Sequence, residues 1–289
     1  MPTSKSFKEQ LNFIKSMQSL IEALKDIDAV HYLALTKEKN LHFEYYDQII
    51  KDYVKLFASV ADTYGMTHPL LRAKVNIPCV VVLSSDASFM GKLNTELCRT
   101  TVQLAESFKT DRYVLVVLGK KGLVRLKSLS GEIISFPSIS DKNRYEEVGK
   151  LKDFVIEKRM KQEIGELYLV GARSISFVKQ EIDVVKLLPP VDLFKERIEL
   201  KMEKWQEVCV ESDFAEIMES LTENWLVTKL YDYAYESKLA QYSARTTHLE
   251  GSLDYLKNEV KRVSLQFNKA KRGEGDKAMQ ETFASLMGA

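Results

Sequence analysis

Proline and glycine are all but missing from the two ends of this chain. Neither occurs between Pro2 and Gly65, and between Pro190 and Gly273 only Gly251 interrupts. From Gly65 to Pro190 both recur at ordinary density. Proline stops a helix because it lacks an N–H, and glycine weakens one through its backbone entropy. Long stretches without either predict two long helices, one at each end, flanking one inserted globular domain. The boundaries read as 1–64 for the N-terminal helix, 65–211 for the inserted domain and 212–289 for the C-terminal helix. Chains built this way hold spacing or transmit force more often than they do chemistry.

The C-terminal pattern is the cleaner of the two. Leu249, Leu253, Leu256, Val260, Val263, Phe267 and Ala270 follow a strict four-three alternation, and the register extends back through Thr246, Tyr242, Leu239 and Tyr235. About five heptads in one register argue for a coiled-coil seam rather than a generic amphipathic helix. Asp213 followed by Glu216 fits a capping box at its start, just before Ile217, Met218 and Leu221. In the N-terminal stretch, Phe13, Met17, Leu20, Leu24 and Ile27 repeat the same spacing, with Phe7 and Leu11 before them and Val30, Leu33 and Ala34 after. Ile49, Ile50, Tyr53, Val54 and Phe57 carry a later stripe. A helix of roughly sixty residues is about 90 Å long, so part of it must project from a domain of ordinary width. A lone helix with one apolar stripe is unstable in water and needs a partner. The other terminal helix, running antiparallel, is the simplest one, and pairing of each stripe with a second copy of the chain is the alternative.

In the middle, residues 78–84, 113–118 and 167–171 are short apolar runs ending in small or polar residues, as buried strands of a parallel sheet do. Helical patterns lie between them at Leu93 to Phe108, Gly122 to Leu129 and Tyr145 to Glu163. The alternation predicts an α/β domain with helices packed on a parallel sheet. A further strand is expected at 182–188, and 200–210 reads as an edge strand leading into the C-terminal helix. The fold class is therefore α/β: a long antiparallel coiled coil of the terminal helices with an inserted Rossmann-like parallel-sheet domain.

Ligands of such sheets bind beyond the carboxyl ends of the strands. The loops there, Ser84 to Asn94 and Gly119 to Gly122, carry neither a dinucleotide fingerprint nor a P-loop. The Gly-Lys-Lys-Gly turn suits a phosphate in residue type, but such a turn is more often a plain solvated strand-to-helix connection. The four histidines are scattered and lack metal-ligand companions, and no Gly-x-Ser-x-Gly elbow is present. Cys79, Cys98 and Cys209 are an odd, sparse set at no metal-like spacing and read as reduced thiols. A net charge of +1 makes the whole chain no general polyanion binder. No secretory core and no apolar run near ~18 residues is present, which predicts a cytoplasmic protein or the soluble part of a larger assembly. One local bias stands out. Lys257, Lys261, Arg262, Lys269, Lys271, Arg272 and Lys277 outnumber Glu259, Glu274 and Asp276. Such a stripe fits an acidic protein surface better than nucleic acid, because no aromatic residues interleave it.

Several segments resemble the gamma subunits of F-type ATP synthases. Ser84-Ser85-Asp86-Ala87-Ser88-Phe89-Met90-Gly91-Lys92-Leu93-Asn94 lines up with that family's Ser-Thr-Asp-x-Gly-Leu-Cys-Gly-Gly-Leu-Asn loop. His68-Pro69-Leu70-Leu71, Gly119-Lys120-Lys121-Gly122, Leu167-Tyr168-Leu169-Val170 and Leu187-Leu188-Pro189 match other segments in order. Glu236 to Ala240, Ala244-Arg245 and Phe267-Asn268-Lys269-Ala270-Lys271 follow the C-terminal signature. The resemblance implies a rotating shaft inside a ring of alpha and beta subunits, its foot on the c-subunit ring beside the epsilon subunit, coupling ion flow to ATP synthesis or hydrolysis. It implies no catalytic site, cofactor or metal in the chain itself, no nucleic acid, and a membrane reached only through the ring. Beta-subunit contacts are implied at Asp86, Met90, Lys92, Asn268, Lys269, Lys271 and Arg272, and a ring or epsilon contact at Glu211. The implied location is the cytoplasmic face of a bacterial inner membrane. The alternative is a gamma-like coiled-coil scaffold of a specialised ATPase-related machine.

The departures from the family are local. The N-terminal Lys-Ala-Met-x-Met-Val-Ala stretch appears as Glu22-Ala23-Leu24-Lys25-Asp26-Ile27-Asp28, and Ala87, Ser88 and Lys92 stand for the usual loop residues. Gly273 and Gly275 each cost a helix about 1 kcal/mol relative to alanine, so a break or fraying of the last helix is expected there.

Overall fold

The computed structural model describes residues 3–63, 70, 73–108, 110, 112–189 and 213–287. Among these the elements run α1 Ser4–Thr63, β1 Pro78–Leu83, α2 Leu93–Ser107, β2 Val114–Leu118, α3 Lys120–Leu126, β3 Glu132–Phe136, α4 Arg144–Met160, β4 Glu166–Ser174, β5 Gln180–Leu188 and α5 Phe214–Met287. The terminal helices are 60 and 74 residues long, as the absence of proline and glycine predicts. The expected strand at 200–210 and the contact residue Glu211 lie outside the described residues. The chain divides into two compact units, Met1–Val30 with Arg245–Ala289, and His31–Ala244.

The larger unit is built on a five-stranded sheet in the order β3-β2-β1-β4-β5. β1 lies at its centre, parallel to both neighbours, with Val81 opposite Val116 on one side and Leu169 on the other. β1 and β2 are buried along their whole length, as strands covered on both faces must be. Alternate residues feed opposite layers. Cys79, Val81, Leu83, Val114, Val116 and Leu118 pack under Val148, Leu151 and Val155 of α4 and Trp225, Leu226 and Leu230 of α5. Val80, Val82, Leu115 and Val117 pack against Leu97, Cys98 and Ala105 of α2 and Leu126 of α3.

Two features depart from the sequence reading. β3 is an additional strand, paired in parallel with β2, and it escapes notice because an edge strand is only half covered and its residues alternate. β5 runs antiparallel to β4. The few residues between them allow a hairpin but are far too short for a parallel crossover.

In the smaller unit α1 and α5 form an antiparallel pair. Ser4 meets Glu274, Ile21 meets Leu249 and Leu253, and Asp28 meets Arg245, so the numbering rises on one helix as it falls on the other. The α5 seam follows the heptads: Leu249, Leu253 and Val263 are buried, and Leu256, Val260, Phe267 and Ala270 are half-buried. The α1 seam follows the expected stripe only in part. Of that stripe, Phe7, Leu11 and Leu24 are half-buried, with Leu24 packed on Ile21, Leu249 and Leu253, but Phe13, Met17, Leu20, Ile27 and Val30 face solvent, while Ile14, Ile21 and Asp28 are buried and Gln18 half-buried. The true seam sits one residue, or about 100°, around the helix. It admits Gln18 and Asp28, which a purely apolar pattern passes over.

The expected break at Gly273 and Gly275 does not occur. α5 remains helical to Met287, and a Cβ added at either glycine would meet nothing within 4 Å. The glycine penalty is small against the propagation of a helix that is already nucleated.

Candidate functional site

The loop after β1 holds three of the expected contact residues, and the sheet positions it. Ser84, at the end of β1, donates its hydroxyl to Leu118 O at 2.5 Å and accepts from Gly122 N–H at 3.2 Å. These bonds join the first two strand ends and draw α3 close. Gly119 has a φ of 95°, and a Cβ there would lie 2.9 Å from the Ser84 carbonyl oxygen. Only glycine fits such a position without strain.

Asp86 turns back onto the Gly-Lys-Lys-Gly turn. Its Oδ1 accepts from the Lys120 backbone N–H at 2.5 Å, and its Oδ2 accepts from the Ser138 hydroxyl at 2.9 Å. Lys121 Nζ donates to Ala87 O at 2.5 Å. The Lys120 backbone N–H and the Lys121 ammonium are therefore engaged by the neighbouring loop. The turn acts as the connection between β2 and α3, with the Asp86 carboxylate supplying the negative charge that a helix start favours.

Met90 is turned inward. It is 7 % exposed, and Ser85 donates its hydroxyl to the Met90 sulfur at 3.0 Å. Asn94 ties the same hydroxyl from the other side at 3.2 Å. The side chain that this loop presents is Phe89, 49 % exposed on a backbone with φ 65°. Left-handed backbone is uncommon for a bulky residue and marks a loop whose conformation is imposed by its surroundings. The sequence does carry a signal for it: Phe89 precedes Met90-Gly91, and Gly91 is also left-handed, with φ 51°. Lys92 is exposed at the position that precedes α2.

The remaining expected contacts lie in the smaller unit, on the exposed part of α5. Asn268, Lys269, Lys271 and Arg272 are all solvent-facing. Asn268, Lys271 and Arg272 share a face by their three- and four-residue spacing. Lys257 pairs with Asp254, Arg262 with Glu259 and Lys277 with Glu281. Among the described residues no carboxylate lies within ion-pair reach of Lys269, Lys271 or Arg272. Glu274, the nearest acid in sequence, is engaged elsewhere: its carboxylate accepts the Ser4 backbone N–H at 2.8 Å and the Ser4 hydroxyl at 2.5 Å. Those bonds hold its carboxyl below the usual carboxylate value.

Among the described residues no cluster of His, Cys, Asp or Glu could hold a metal ion. Burial pushes the Cys79 thiol up to about 12, which leaves it an inert core residue. No helix of the described residues is long and apolar enough to cross a membrane.

The fold defines a class of protein: terminal helices paired antiparallel, with a mostly parallel α/β sheet inserted between them. The family model described as ATP synthase matches residues 3–280. An ATP synthase gamma chain of Desulfitobacterium hafniense is 26 % identical over 276 residues, covering 94 % of each chain. The ATP synthase gamma chain of Pelotomaculum thermopropionicum is 23 % identical over 283 residues, covering 97 % of each. In fold, the chain is similar to one in the OSCP/F1/c-ring structure of Euglena gracilis mitochondrial ATP synthase, with a TM-score of 0.64, 16 % identity and coverage of 98 % and 93 %. A chain of the Tetrahymena thermophila mitochondrial ATP synthase central stalk and c-ring gives a TM-score of 0.59 at 15 % identity, covering 81 % of this chain and 99 % of that one. The chain belongs to the ATP synthase family, and the relatives it matches over nearly its whole length are gamma chains.

Proposed function

We propose that this chain is the rotating shaft of an F-type ATP synthase, coupling ion flow through a c-subunit ring to ATP synthesis or hydrolysis in the alpha and beta subunits. The observation that carries this reading is the second apolar face of α1. Phe13, Met17, Leu20 and Ile27 are 64, 38, 58 and 53 % exposed although the helix already has a partner in α5. A helix whose pairing is satisfied and which still shows a contiguous apolar stripe has a further protein surface to meet. Met279, Phe283 and Leu286 near the end of α5 are exposed in the same way. Both fit a shaft that turns inside a sleeve of other subunits.

In this reading the terminal segments 1–64 and 212–289 form the shaft and 65–211 the inserted α/β domain. Asp86, Lys92, Asn268, Lys269, Lys271 and Arg272 meet acidic or polar parts of the beta subunits. Met90 contributes by holding the loop that presents Phe89. Glu211 faces the ring and the epsilon subunit. The complex sits on the cytoplasmic face of a bacterial inner membrane, and this chain reaches the membrane only through the ring. The three α5 cations, which have no acid within ion-pair reach among the described residues, support electrostatic contact, because such a charge is free to steer an encounter. The experiment is purification from the native cell followed by mass spectrometry of the partners, beside a variant with Lys269, Lys271 and Arg272 all changed to glutamate. The alpha and beta subunits should co-purify with the native chain, and the variant should assemble poorly or pump poorly. A native chain that never joins an alpha–beta complex would overturn the reading, and would favour the scaffold alternative.

A further inference from the structure

Within the unit His31–Ala244, one short segment grips both long helices at two points. The segment runs from Asp141 to Arg144, where the loop after β3 enters α4. Asp141 Oδ2 accepts from the Tyr242 hydroxyl of α5 at 2.6 Å and lies 3.5 Å from His31 Nδ1 of α1. The His31 and Tyr242 rings stack on each other at 5.2 Å and 12°. Three residues on, Arg144 donates to Glu38 Oε1 of α1 at 2.9 Å, and the same oxygen accepts from the Tyr235 hydroxyl of α5 at 2.6 Å. The Arg144 guanidinium also sits over the Tyr235 ring, 3.9 Å from its centroid. Each grip therefore has one residue from each of three elements. The grips are one heptad apart on both helices, His31 to Glu38 and Tyr235 to Tyr242. Leu35 and Leu239 pack together between them.

Each grip joins a charged or titratable pair to a tyrosine hydroxyl. The rest of the contact between sheet layer and helices combines apolar packing by Trp225, Leu226 and Leu230 with hydrogen bonds from Tyr231 to Tyr145 O, Ser237 to Leu83 O and Ser243 to Phe177 O. Apolar packing resists separation but gives little resistance to sliding, since neighbouring arrangements bury similar area. A hydrogen-bonded ion pair has one geometry and loses its energy when displaced. Arg144 is 4 % exposed, and its Nε and Nη1 have no hydrogen-bond partner. Burying a guanidinium is not an efficient way to stabilise a core, and a well-packed apolar residue commonly does as well. What the arrangement does supply is a fixed register among three elements.

We infer that the Asp141–Arg144 segment is the joint that carries tangential load between the α/β body and the helix pair, with Arg144 and Asp141 as positioning residues for rotary coupling. The inference rests on the rotor reading proposed above. A body that takes up torque must pass it to α1 and α5 without slip, and two polar three-way contacts a heptad apart oppose both sliding and twisting of one helix against the other. Arg144 fixes Glu38 and Tyr235, and Asp141 fixes His31 and Tyr242, so loss of either removes one of the two fixed points this segment has on the helices.

The test uses the complete synthase in membrane vesicles and reads the ratio of ATP-driven ion pumping to ATP hydrolysis, beside thermal unfolding of the chain. Wild type sets the baseline, and a wild type that neither assembles nor pumps sinks the rotor reading and the joint with it. Arg144→Met keeps volume and removes the polar grip. A folded, assembled variant should show a lowered pumping-to-hydrolysis ratio, and Arg144→Lys, which keeps a cation near Glu38 and the Tyr235 ring, should hold the ratio closer to wild type. A purely structural role would lower the melting temperature and leave the ratio of the assembled complexes at its wild-type value, which overturns the inference. If Arg144→Met does not fold, Asp141→Ala at the more exposed grip decides: a lowered ratio supports the joint, and an unchanged one overturns it.

Discussion

Asp28 of α1 and Arg245 of α5 meet across the helix seam, 3.1 Å apart, with Asp28 only 2 % exposed. In a seam otherwise lined by Ile14, Ile21, Leu249 and Leu253, this pair is a marker of register. A one-turn slip of either helix would bury each charge against apolar side chains. Asp28→Ala should therefore destabilise the chain by about 3 kcal/mol, because it strands a largely buried guanidinium. The combination Asp28→Leu with Arg245→Met should recover most of that loss in urea denaturation. It should also loosen the specificity of the pairing, as removal of a buried polar pair from a coiled coil does. A single Asp28→Ala variant as stable as wild type would show that Arg245 has an alternative partner.

The contact between Ser84 and Gly122 sets a second prediction. A Cβ at Gly122 would lie 2.2 Å from Ser84 Oγ and 2.7 Å from Ser84 Cβ. Gly122→Ala should cost roughly 1–3 kcal/mol as an overpacked contact. Adding Ser84→Gly should return part of it, since the obstructing atoms are then gone. Thermal denaturation of the two variants distinguishes this from a simple loss of helix geometry, in which the second change would only add to the damage.

Alanine at Gly273 and Gly275 should have the opposite sign. Neither site has a neighbour for a Cβ to strike, and both lie inside α5. Each replacement should stabilise the end of the helix by about 1 kcal/mol. Hydrogen exchange over residues 268–287 should slow, with the α/β core unaffected. Unchanged or faster exchange there would mean that the end of α5 is not helical in solution.

The β4–β5 hairpin carries a pH dependence with two limbs. Burial tends to raise the Glu166 carboxyl, but hydrogen bonds from Lys186 and Tyr168 outweigh it and hold the group below its ordinary 4.5. A lowered folded value means that this contribution is complete above about pH 4.5 and is lost as pH falls through the lower value. Tyr168 is shifted the other way: burial first, then its bond to Glu166, pushes it up from 10.0 to about 12. Its contribution is complete below pH 10 and is lost as pH rises towards 12. Hydrogen exchange of β5 should thus be slowest on a plateau between these limits, and Glu166→Gln should flatten the acid limb. An acid limb that survives the substitution intact would assign it to other carboxylates.

The sequence was most legible where a single force shaped it. The α5 heptads are apolar without exception from Leu249 to Phe267, other than in polar positions outside the register, and the seam lies where they put it. The continuous apolar runs of β1 and β2 likewise announced strands covered on both faces. On α1 two forces compete. Most of the more apolar stripe, Phe13 to Ile27, is left exposed, while the helix partner takes a face that includes Gln18 and Asp28. Hydrophobicity alone cannot tell a face that binds within the chain from one that binds another protein. The edge strand β3 and the reversal at β5 depend on what covers a strand, which local pattern does not record. The family resemblance points to Met90, but the orientation of this loop residue follows from Ser85 and Asn94, and Phe89 takes the exposed place. The grips at Asp141 and Arg144 join residues as much as 197 apart in sequence by hydrogen bonds, and no spacing rule reaches that far.

Direct observation of rotation tests the central claim. A single cysteine introduced by Val124→Cys, on α3 where the side chain is 69 % exposed, would carry a visible probe on the α/β body. Cys79 and Cys98 are buried and should not compete for the label, and Cys209→Ser removes the third thiol. With the alpha and beta subunits of the same cell immobilised on a surface and ATP supplied, the probe should turn stepwise in one direction and stop when ATP is withdrawn. A stable complex in which the probe stays still while ATP is hydrolysed would contradict the account.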